Sequence, residues 1–212
     1  MITIEAATAL RGARLKQIGL FEMRRLEALS NTIFGVAMTL LAYDLPKSGT
    51  SATLPDWVNL YNLYVGKLSA LVLSFIIAGL FWFSHHRRLT QQPEAGRGIA
   101  ILNLLFLLTI ILLPVTNGLY GNYRLSSAVA VLYGINLTLI AGLNALLWWL
   151  TRTDNWHEIA GAIFPVLVFV PCIAVAAIAP QYVQYFWGLA FGALLVRPFI
   201  GWWQGKTSDP QP

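Results

Sequence analysis

The sequence is poor in charge and in cysteine, and each shortage excludes a class of protein. Only 11% of its 212 residues are charged, whereas an ordinary soluble domain carries roughly 25% charged residues. So little polar surface cannot cover a soluble globule. The single cysteine, Cys172, excludes an intramolecular disulfide framework and a cysteine metal cluster.

The chain is instead rich in long apolar runs. It is 57% hydrophobic with a mean hydropathy of +0.64, and runs of about 20 residues can cross a hydrocarbon core about 30 Å thick. We predict an all-α, polytopic membrane protein with six transmembrane helices. The predicted spans cover residues 26–45, 65–83, 99–119, 125–150, 159–179 and 183–203.

The spans leave no room for a separate soluble catalytic domain. We therefore expect one six-helix domain over residues 26–203, a retained cytoplasmic N-terminal segment over residues 1–25 and a cytoplasmic tail over residues 204–212. No small-residue cleavage site closes the first apolar run, which argues against a signal peptide.

The basic residues indicate topology. Ten of the fourteen Lys and Arg residues fall on one side of the predicted spans: Arg11, Arg14, Lys16, Arg24, Arg25, Arg87, Arg88, Arg97, Arg152 and Lys206. Basic loops stay on the cytoplasmic side of a membrane, so we expect both termini in the cytoplasm. The net charge of +5 therefore does not indicate a nucleic-acid partner. We expect the protein to contact membrane lipid.

The first span differs from the others because it carries polar and small residues. At 100° per residue one stripe of this helix contains Arg25, Leu29, Thr32, Val36, Leu40 and Tyr43, with Thr39 on its flank. An adjoining stripe of small residues contains Ala28, Thr32, Gly35, Thr39 and Ala42. Such a stripe allows close approach either to another span of the same subunit or to other copies of itself around an axis. Rings of apolar side chains can also gate a pore.

Three segments resemble one known family. Residues 25–41, opening with Arg25, Ser30 and Asn31, resemble the Arg-x-x-x-Phe-Ser-Asp signature of the bacterial branch of the lysosomal potassium channel family, transmembrane protein 175. Trp82 with His85 and His86 is similar to the end of that family's second helix. The segment 102–116 is similar to its third helix.

The resemblance implies a homotetramer that conducts potassium ions, in the plasma (inner) membrane of a bacterium, with the first helix of each subunit lining a central pore. It places the apolar constriction at Val36, Leu40 and Tyr43, and the threonine associated with selectivity at Thr39. No cofactor is expected beyond potassium as the permeant ion. The resemblance also implies a polar network that joins the first two helices, made of Arg25, Ser30, Asn31, Trp82, His85 and His86.

The sequence departs from the family at three positions. Leu29 stands where the motif has phenylalanine, Asn31 where it has aspartate, and Tyr43 at the innermost apolar layer. Arg25 then lacks its carboxylate partner, so we expect either that Glu27 replaces this partner or that Arg25 faces water.

The remaining polar residues do not form an enzyme site. The sequence shows no Ser-His-Asp spacing, no phosphate-binding glycine loop and no paired intramembrane carboxylates, so we do not expect an enzyme. His85 and His86 are adjacent and point about 100° apart on a helix, so we do not expect them to form a metal site. Asn103, Asn136 and Asn144 are expected to make interhelical hydrogen bonds.

Two other functions remain open. The polar start of the first helix and the histidines suit a membrane transporter for a small solute. The changes at Asn31 and Tyr43 suit a relative of the channels that keeps the assembly and does not conduct.

Overall fold

The computed structural model describes residues 20–45, 56–91, 94–151 and 156–192. Most of the predicted N-terminal segment, the predicted tail and the second half of the predicted sixth span lie outside these described residues. The order of elements is strand β1 (Leu20–Glu22), helices α1 (Met23–Leu40) and α2 (Trp57–Thr90), strand β2 (Glu94–Gly96), helices α3 (Arg97–Tyr123), α4 (Ser127–Leu150), α5 (Trp156–Ile178) and α6 (Val183–Trp187), and a 3-10 helix (Gly188–Gly192).

The all-α membrane fold is confirmed. The helices α2, α3, α4 and α5 are each long and apolar enough to cross a membrane. The 18-residue helix α1 carries Arg24, Arg25 and Glu27 in its first turns, and this charge separates it from the four longer helices. The predicted sixth span begins in the structure as α6, at the predicted residue Val183.

The ends of the first two spans differ from the prediction. Helix α1 ends at Leu40 rather than at residue 45, and a series of turns follows it. Helix α2 begins at Trp57, where the side chain of Asp56 accepts a hydrogen bond from the backbone N–H of Asn59 at 2.7 Å. An aspartate at this position satisfies one free N–H of the first turn, so Asp56 caps the start of α2.

A short antiparallel ribbon was not predicted. Strand β1 pairs with β2 in the register Leu20 to Gly96, Phe21 to Ala95 and Glu22 to Glu94. The ribbon joins the chain just before α1 to the connection between α2 and α3. Three residues in each strand are too few to show the alternating pattern by which a strand is recognised in a sequence.

The core lies where α3, α4 and α5 pack together, with α6 against them. Its centre is fully buried and includes Phe106, Leu137, Ile140, Phe169 and Trp187. Helices α3 and α5 run through Pro114, Pro165 and Pro171, as membrane helices tolerate when neighbouring groups satisfy the freed carbonyls. Helix α1 packs at one side of this core, against α2 and α3.

Buried polar side chains join the helices, as predicted for the three asparagines. Asn136 of α4 donates to the hydroxyl of Thr116 at 3.1 Å, and Asn144 of α4 donates to Ser84 of α2 at 3.1 Å. A further set, here called the Ser74 cluster, contains Ser74, Asn117 and Tyr133. The Ser74 hydroxyl donates to Oδ1 of Asn117 at 2.7 Å and lies 2.7 Å from the Tyr133 hydroxyl. The Tyr133 O–H is therefore the donor to Ser74.

Candidate pore helix and its polar anchor

Helix α1 presents two different faces. The buried face is formed by Leu26, Ser30, Phe34 and Ala37, continuing to Leu41 just beyond the helix, and it packs against α2 and α3. The opposite face contains both stripes predicted from the sequence, and every member of those stripes is exposed on the isolated subunit. The stripes therefore do not pack against another of the spans that the structure describes.

The residues predicted to form the constriction lie on this exposed face. Val36 is 53% exposed and Leu40 is 46% exposed. Tyr43 is 65% exposed, and it lies beyond the end of α1, in a turn where its N–H bonds to the carbonyl of Leu40 at 2.9 Å. The prediction that Tyr43 belongs to the regular helix is therefore wrong, although the turn leaves its side chain exposed.

The two threonines of the exposed face have a defined orientation. The Thr39 hydroxyl donates to the carbonyl of Val36 at 2.8 Å, and the Thr32 hydroxyl donates to the carbonyl of Ala28 at 2.9 Å. Each hydroxyl uses its single proton within the helix, so the lone pairs of its oxygen remain for an external donor or a cation.

A ring of four buried polar side chains holds the other face of α1. We call it the Ser30 ring, formed by Ser30 of α1, His85 and Arg88 of α2, and Asn103 of α3; each is at most 1% exposed. His85 Nε2 lies 3.0 Å from Ser30 Oγ, and Arg88 Nη2 lies 3.1 Å from His85 Nδ1. Arg88 Nη2 also donates to Asn103 Oδ1 at 3.0 Å, and Asn103 Nδ2 reaches Ser30 Oγ at 3.5 Å.

Aromatic rings enclose the imidazole of His85. Its centroid lies 5.0 Å from the ring of Phe106, to which it is nearly parallel, and 5.9 Å from the ring of Phe34. These contacts exclude water from the imidazole and fix its plane, so the polar bonds of the Ser30 ring form in an apolar surrounding. Hydrogen bonds are electrostatically stronger there than in water.

Asn31 and His86 form a second, more exposed set of contacts. Trp82 Nε1 donates to Asn31 Oδ1 at 2.9 Å, and the Trp82 indole stacks on the His86 imidazole with centroids 5.5 Å apart. Glu27 Oε1 lies 3.2 Å from His86 Nδ1. The amide oxygen of Asn31 therefore accepts the same hydrogen bond from Trp82 that the carboxylate oxygen of an aspartate would accept.

The two expectations for Arg25, that Glu27 replaces its carboxylate partner or that Arg25 faces water, stay predictions. Glu27 faces His86, and Arg25 lies on the exposed face of α1. The buried cation of the network is Arg88, whose position in the sequence indicated only topology. The signal that could have revealed it is the spacing of Phe81, His85 and Arg88, which places all three on one face of α2.

The end of α1 away from the Ser30 ring meets α3 closely. The Lys67 ammonium lies 3.5 Å from the carbonyl of Asp44. The Asp44 carboxylate lies so close to Gly118 that a Cβ at that position would overlap it. A groove of about 410 Å³ opens beside this contact, lined by Leu40, Tyr43 and residues of α3.

Among the residues that the structure describes, no group of three or more His, Cys, Asp or Glu side chains could hold a metal ion. On the buried face of α1, Ser30 makes contacts between helices. On the exposed face, the oxygens of Thr32 and Thr39 can contact a partner or an ion.

The fold and this arrangement define a helical membrane protein with an anchored first helix. A model of the family "Endosomal/lysosomal potassium channel TMEM175" matches residues 25–114. A potassium channel of Streptomyces collinus is 32% identical over 144 residues, which are 65% of this chain and 68% of that protein. A potassium channel of a Chryseobacterium species is 26% identical over 117 residues, which are 55% of this chain and 58% of that protein.

A solved structure has the same fold. The crystal structure of a lysosomal potassium-selective channel TMEM175 homologue from Chamaesiphon minutus superposes with a TM-score of 0.70 at 21% identity, covering 82% of this chain and 96% of that one. The chain belongs to the TMEM175 potassium channel family, which is a family of integral membrane channels and not of enzymes.

Proposed function

We propose that this protein is a potassium channel, or a weakly selective monovalent cation channel, in which four copies surround a central pore lined by α1. The observation that carries the proposal is the division of α1 into two faces. The Ser30 ring anchors one face within the subunit, and the other leaves Val36 and Leu40 about half exposed beside small residues. Small residues allow copies of a helix to approach closely around an axis.

The exposed face supplies the chemistry that a cation path needs. Val36 and Leu40 lie one turn apart, so four copies form two apolar rings that narrow the pore. Thr39 lies between these rings, and its hydroxyl proton is bonded to the carbonyl of Val36. The four Thr39 oxygens of a tetramer can therefore coordinate a permeating cation. No charged ring is required at this level.

The orientation follows from the basic residues. Arg87, Arg88 and Arg97 lie at the end of the molecule where α2 ends and α3 begins. Under the positive-inside rule this end faces the cytoplasm of a bacterium, and with it the start of α1. The turn that contains Tyr43 and Asp44 then lies at the external mouth.

A transporter with a solute site at the start of α1 is a weaker candidate. Two side chains that such a site would use, Ser30 and His85, already bond to each other in the Ser30 ring, and each is at most 1% exposed. The ring is therefore closed to a solute. A clean monomer in mild detergent would nevertheless favour this class, because the proposed pore requires several copies.

Ion flux from proteoliposomes tests the proposal. The full chain is reconstituted, and potassium efflux is compared between the wild type and Val36→Ala, with Val72→Ala on the exposed surface of α2 as the matched control. We expect Val36→Ala to change the flux or the K⁺/Na⁺ ratio and Val72→Ala to change neither. If both variants have the flux and the K⁺/Na⁺ ratio of a conducting wild type, Val36 does not line the pore.

Contact between subunits through α1 is tested separately. Thr32→Cys, placed in a Cys172→Ala background, puts a thiol on the exposed face, and we expect oxidation in native-like membranes to link neighbouring subunits in pairs. Ser69→Cys on the exposed part of α2 serves as the control. If the wild type assembles but does not conduct, Asn31→Asp asks whether flux appears, as expected for a channel relative that lost activity at this position.

A further inference from the structure

The Ser30 ring has only one consistent pattern of donors and acceptors. A guanidinium can donate hydrogen bonds and cannot accept them. Arg88 Nη2 lies 3.1 Å from His85 Nδ1, so this nitrogen must be the acceptor and carries no proton. The other ring nitrogen, Nε2, therefore carries the proton, and it points to Ser30 Oγ at 3.0 Å.

The remaining bonds agree with this direction. The Ser30 hydroxyl uses its own proton on the carbonyl of Leu26 at 2.6 Å, so its oxygen accepts from His85. Asn103 must turn Oδ1 toward Arg88, which turns its NH₂ group toward the same Ser30 oxygen. Two chains of hydrogen bonds thus start at Arg88 and meet at Ser30, one through each neighbouring helix.

The position of Arg88 also sets it apart from the other arginines of the cytoplasmic end. It is 1% exposed, and within the described part of the chain its Nε and Nη1 atoms have no hydrogen-bond partner. Among the described residues its polar contacts are to neutral groups, His85 and Asn103. A buried guanidinium whose partners are neutral carries a large desolvation cost, so stability alone does not explain why a guanidinium occupies this place.

We propose that Arg88 is the positioning residue of the pore helix: it holds His85 as the neutral Nε2–H tautomer and Asn103 in one amide orientation, so that both donate to Ser30 and fix the rotation of α1. The residue acts through His85 and Asn103 and does not touch the proposed pore face. The part of this proposal that concerns ion flux rests on the proposed channel function. The part that concerns the tautomer does not.

The groups around His85 allow no other protonation form. Arg88 contacts its Nδ1 and Ser30 its Nε2, while Phe34 and Phe106 cover its faces. The nearest histidine along the helix, His86, turns toward Glu27 and Trp82. An imidazolium would present an N–H to the guanidinium, and the Nδ1–H tautomer would do the same while removing the hydrogen bond from His85 to Ser30.

Nitrogen NMR of the assembled, full-length protein tests the tautomer directly. Histidine-labelled wild type is reconstituted in lipid, and its three histidines are assigned with His86→Gln and His157→Gln. We expect His85 to show an unprotonated Nδ1 and a protonated Nε2. An Nδ1–H tautomer or an imidazolium in the wild type would overturn the proposal, whatever the flux measurements give.

Variants show which group sets the tautomer. Ser30 can donate or accept, so Ser30→Ala should leave His85 as Nε2–H. Arg88→Lys retains a donor without acceptor character and should also preserve it, whereas Arg88→Met should produce mixed tautomers. A pure Nε2–H signal in Arg88→Met would overturn the role of Arg88.

Flux distinguishes positioning from a general effect on stability. We expect Arg88→Met to lower potassium flux per assembled channel by about tenfold, within the range for removing one member of a coupled polar network, and Arg88→Lys to restore most of it. Arg87→Met is the matched control, since Arg87 is exposed and its side chain contacts, among the residues described, only Glu158 at 3.5 Å. If Arg88→Met does not assemble, the wild-type and Arg88→Lys spectra still decide; equal flux in Arg88→Met and Arg87→Met would refute the positioning of the pore helix.

Discussion

Shortening Leu40 to alanine should open the proposed constriction. Leu40 is 46% exposed on the isolated subunit, and in a tetramer its four copies form one apolar ring, about 6 Å along the axis from the ring of Val36. Dehydration of a cation inside such a ring is the barrier to conduction, because apolar side chains neither bind the ion nor retain water.

The size of the effect follows from the carbon atoms removed. Leu40→Ala removes three carbon atoms from each subunit, and one buried methylene corresponds to about 0.8 kcal/mol of transfer free energy. We take half of the value of one methylene, about 0.4 kcal/mol, as the gain in each subunit from easier hydration of the wider pore. Over four subunits the free-energy barrier to conduction then falls by about 1.6 kcal/mol. A decrease of 1.36 kcal/mol corresponds to about a tenfold increase in rate, so we expect potassium flux to rise by at least about this factor and the K⁺/Na⁺ ratio to fall.

The assay is potassium efflux from proteoliposomes with equal amounts of assembled protein. Leu108→Ala is the matched control, because Leu108 is 50% exposed on α3 and loses the same atoms away from α1. Gel filtration and thermal unfolding in detergent should show that both variants assemble as the wild type does. An unchanged flux in Leu40→Ala, in a preparation whose wild type conducts, would refute the constriction.

Three further changes test the contacts around α1 and the core. Trp82→Phe removes the donor to Asn31 and should lower the free energy of unfolding by about 1 kcal/mol; in an Asn31→Ala background the same change should cost much less, as a double-mutant cycle in detergent would show. Gly118→Ala places a methyl group where the Asp44 carboxylate lies and should cost about 1–3 kcal/mol; recovery of the melting temperature in Asp44→Ala would attribute the cost to this contact, and its persistence would argue against it. Ser74→Ala leaves the amide and the phenol of the Ser74 cluster without their shared partner and should cost about 1–3 kcal/mol, measured by thermal unfolding; no loss would mean that water replaces the hydroxyl.

Much of the fold could be read from the sequence because hydropathy is a local and additive property. The start of α6 and the bounds of α3, α4 and α5 fall within a few residues of the predicted spans, since apolar runs stop where polar residues begin. Helix α2 extends beyond the predicted span at both ends, to Trp57 and to Thr90, and its last turns carry the polar run from Ser84 to Arg88. Hydropathy cannot tell a polar helical turn from a loop.

The two faces of α1 were also readable, because the period of a helix is known. The stripe through Val36 and Leu40 is exposed as one face, and Ser30 lies opposite to it. Tyr43 departs from the pattern because the helix ends at Leu40 and the period no longer applies in the turn that follows.

The sequence by itself therefore determined that this chain crosses a membrane, that its first helix has two unlike faces, and that polar residues cluster near the start of that helix. Only the tertiary structure decided which cation enters the buried network. Arg25 and Arg88 are chemically identical, but Arg88 lies where α1, α2 and α3 meet, and Arg25 lies on the exposed face. A hydrogen bond between helices depends on the distance between their axes and on their rotation, and neither is encoded in any single segment of the chain.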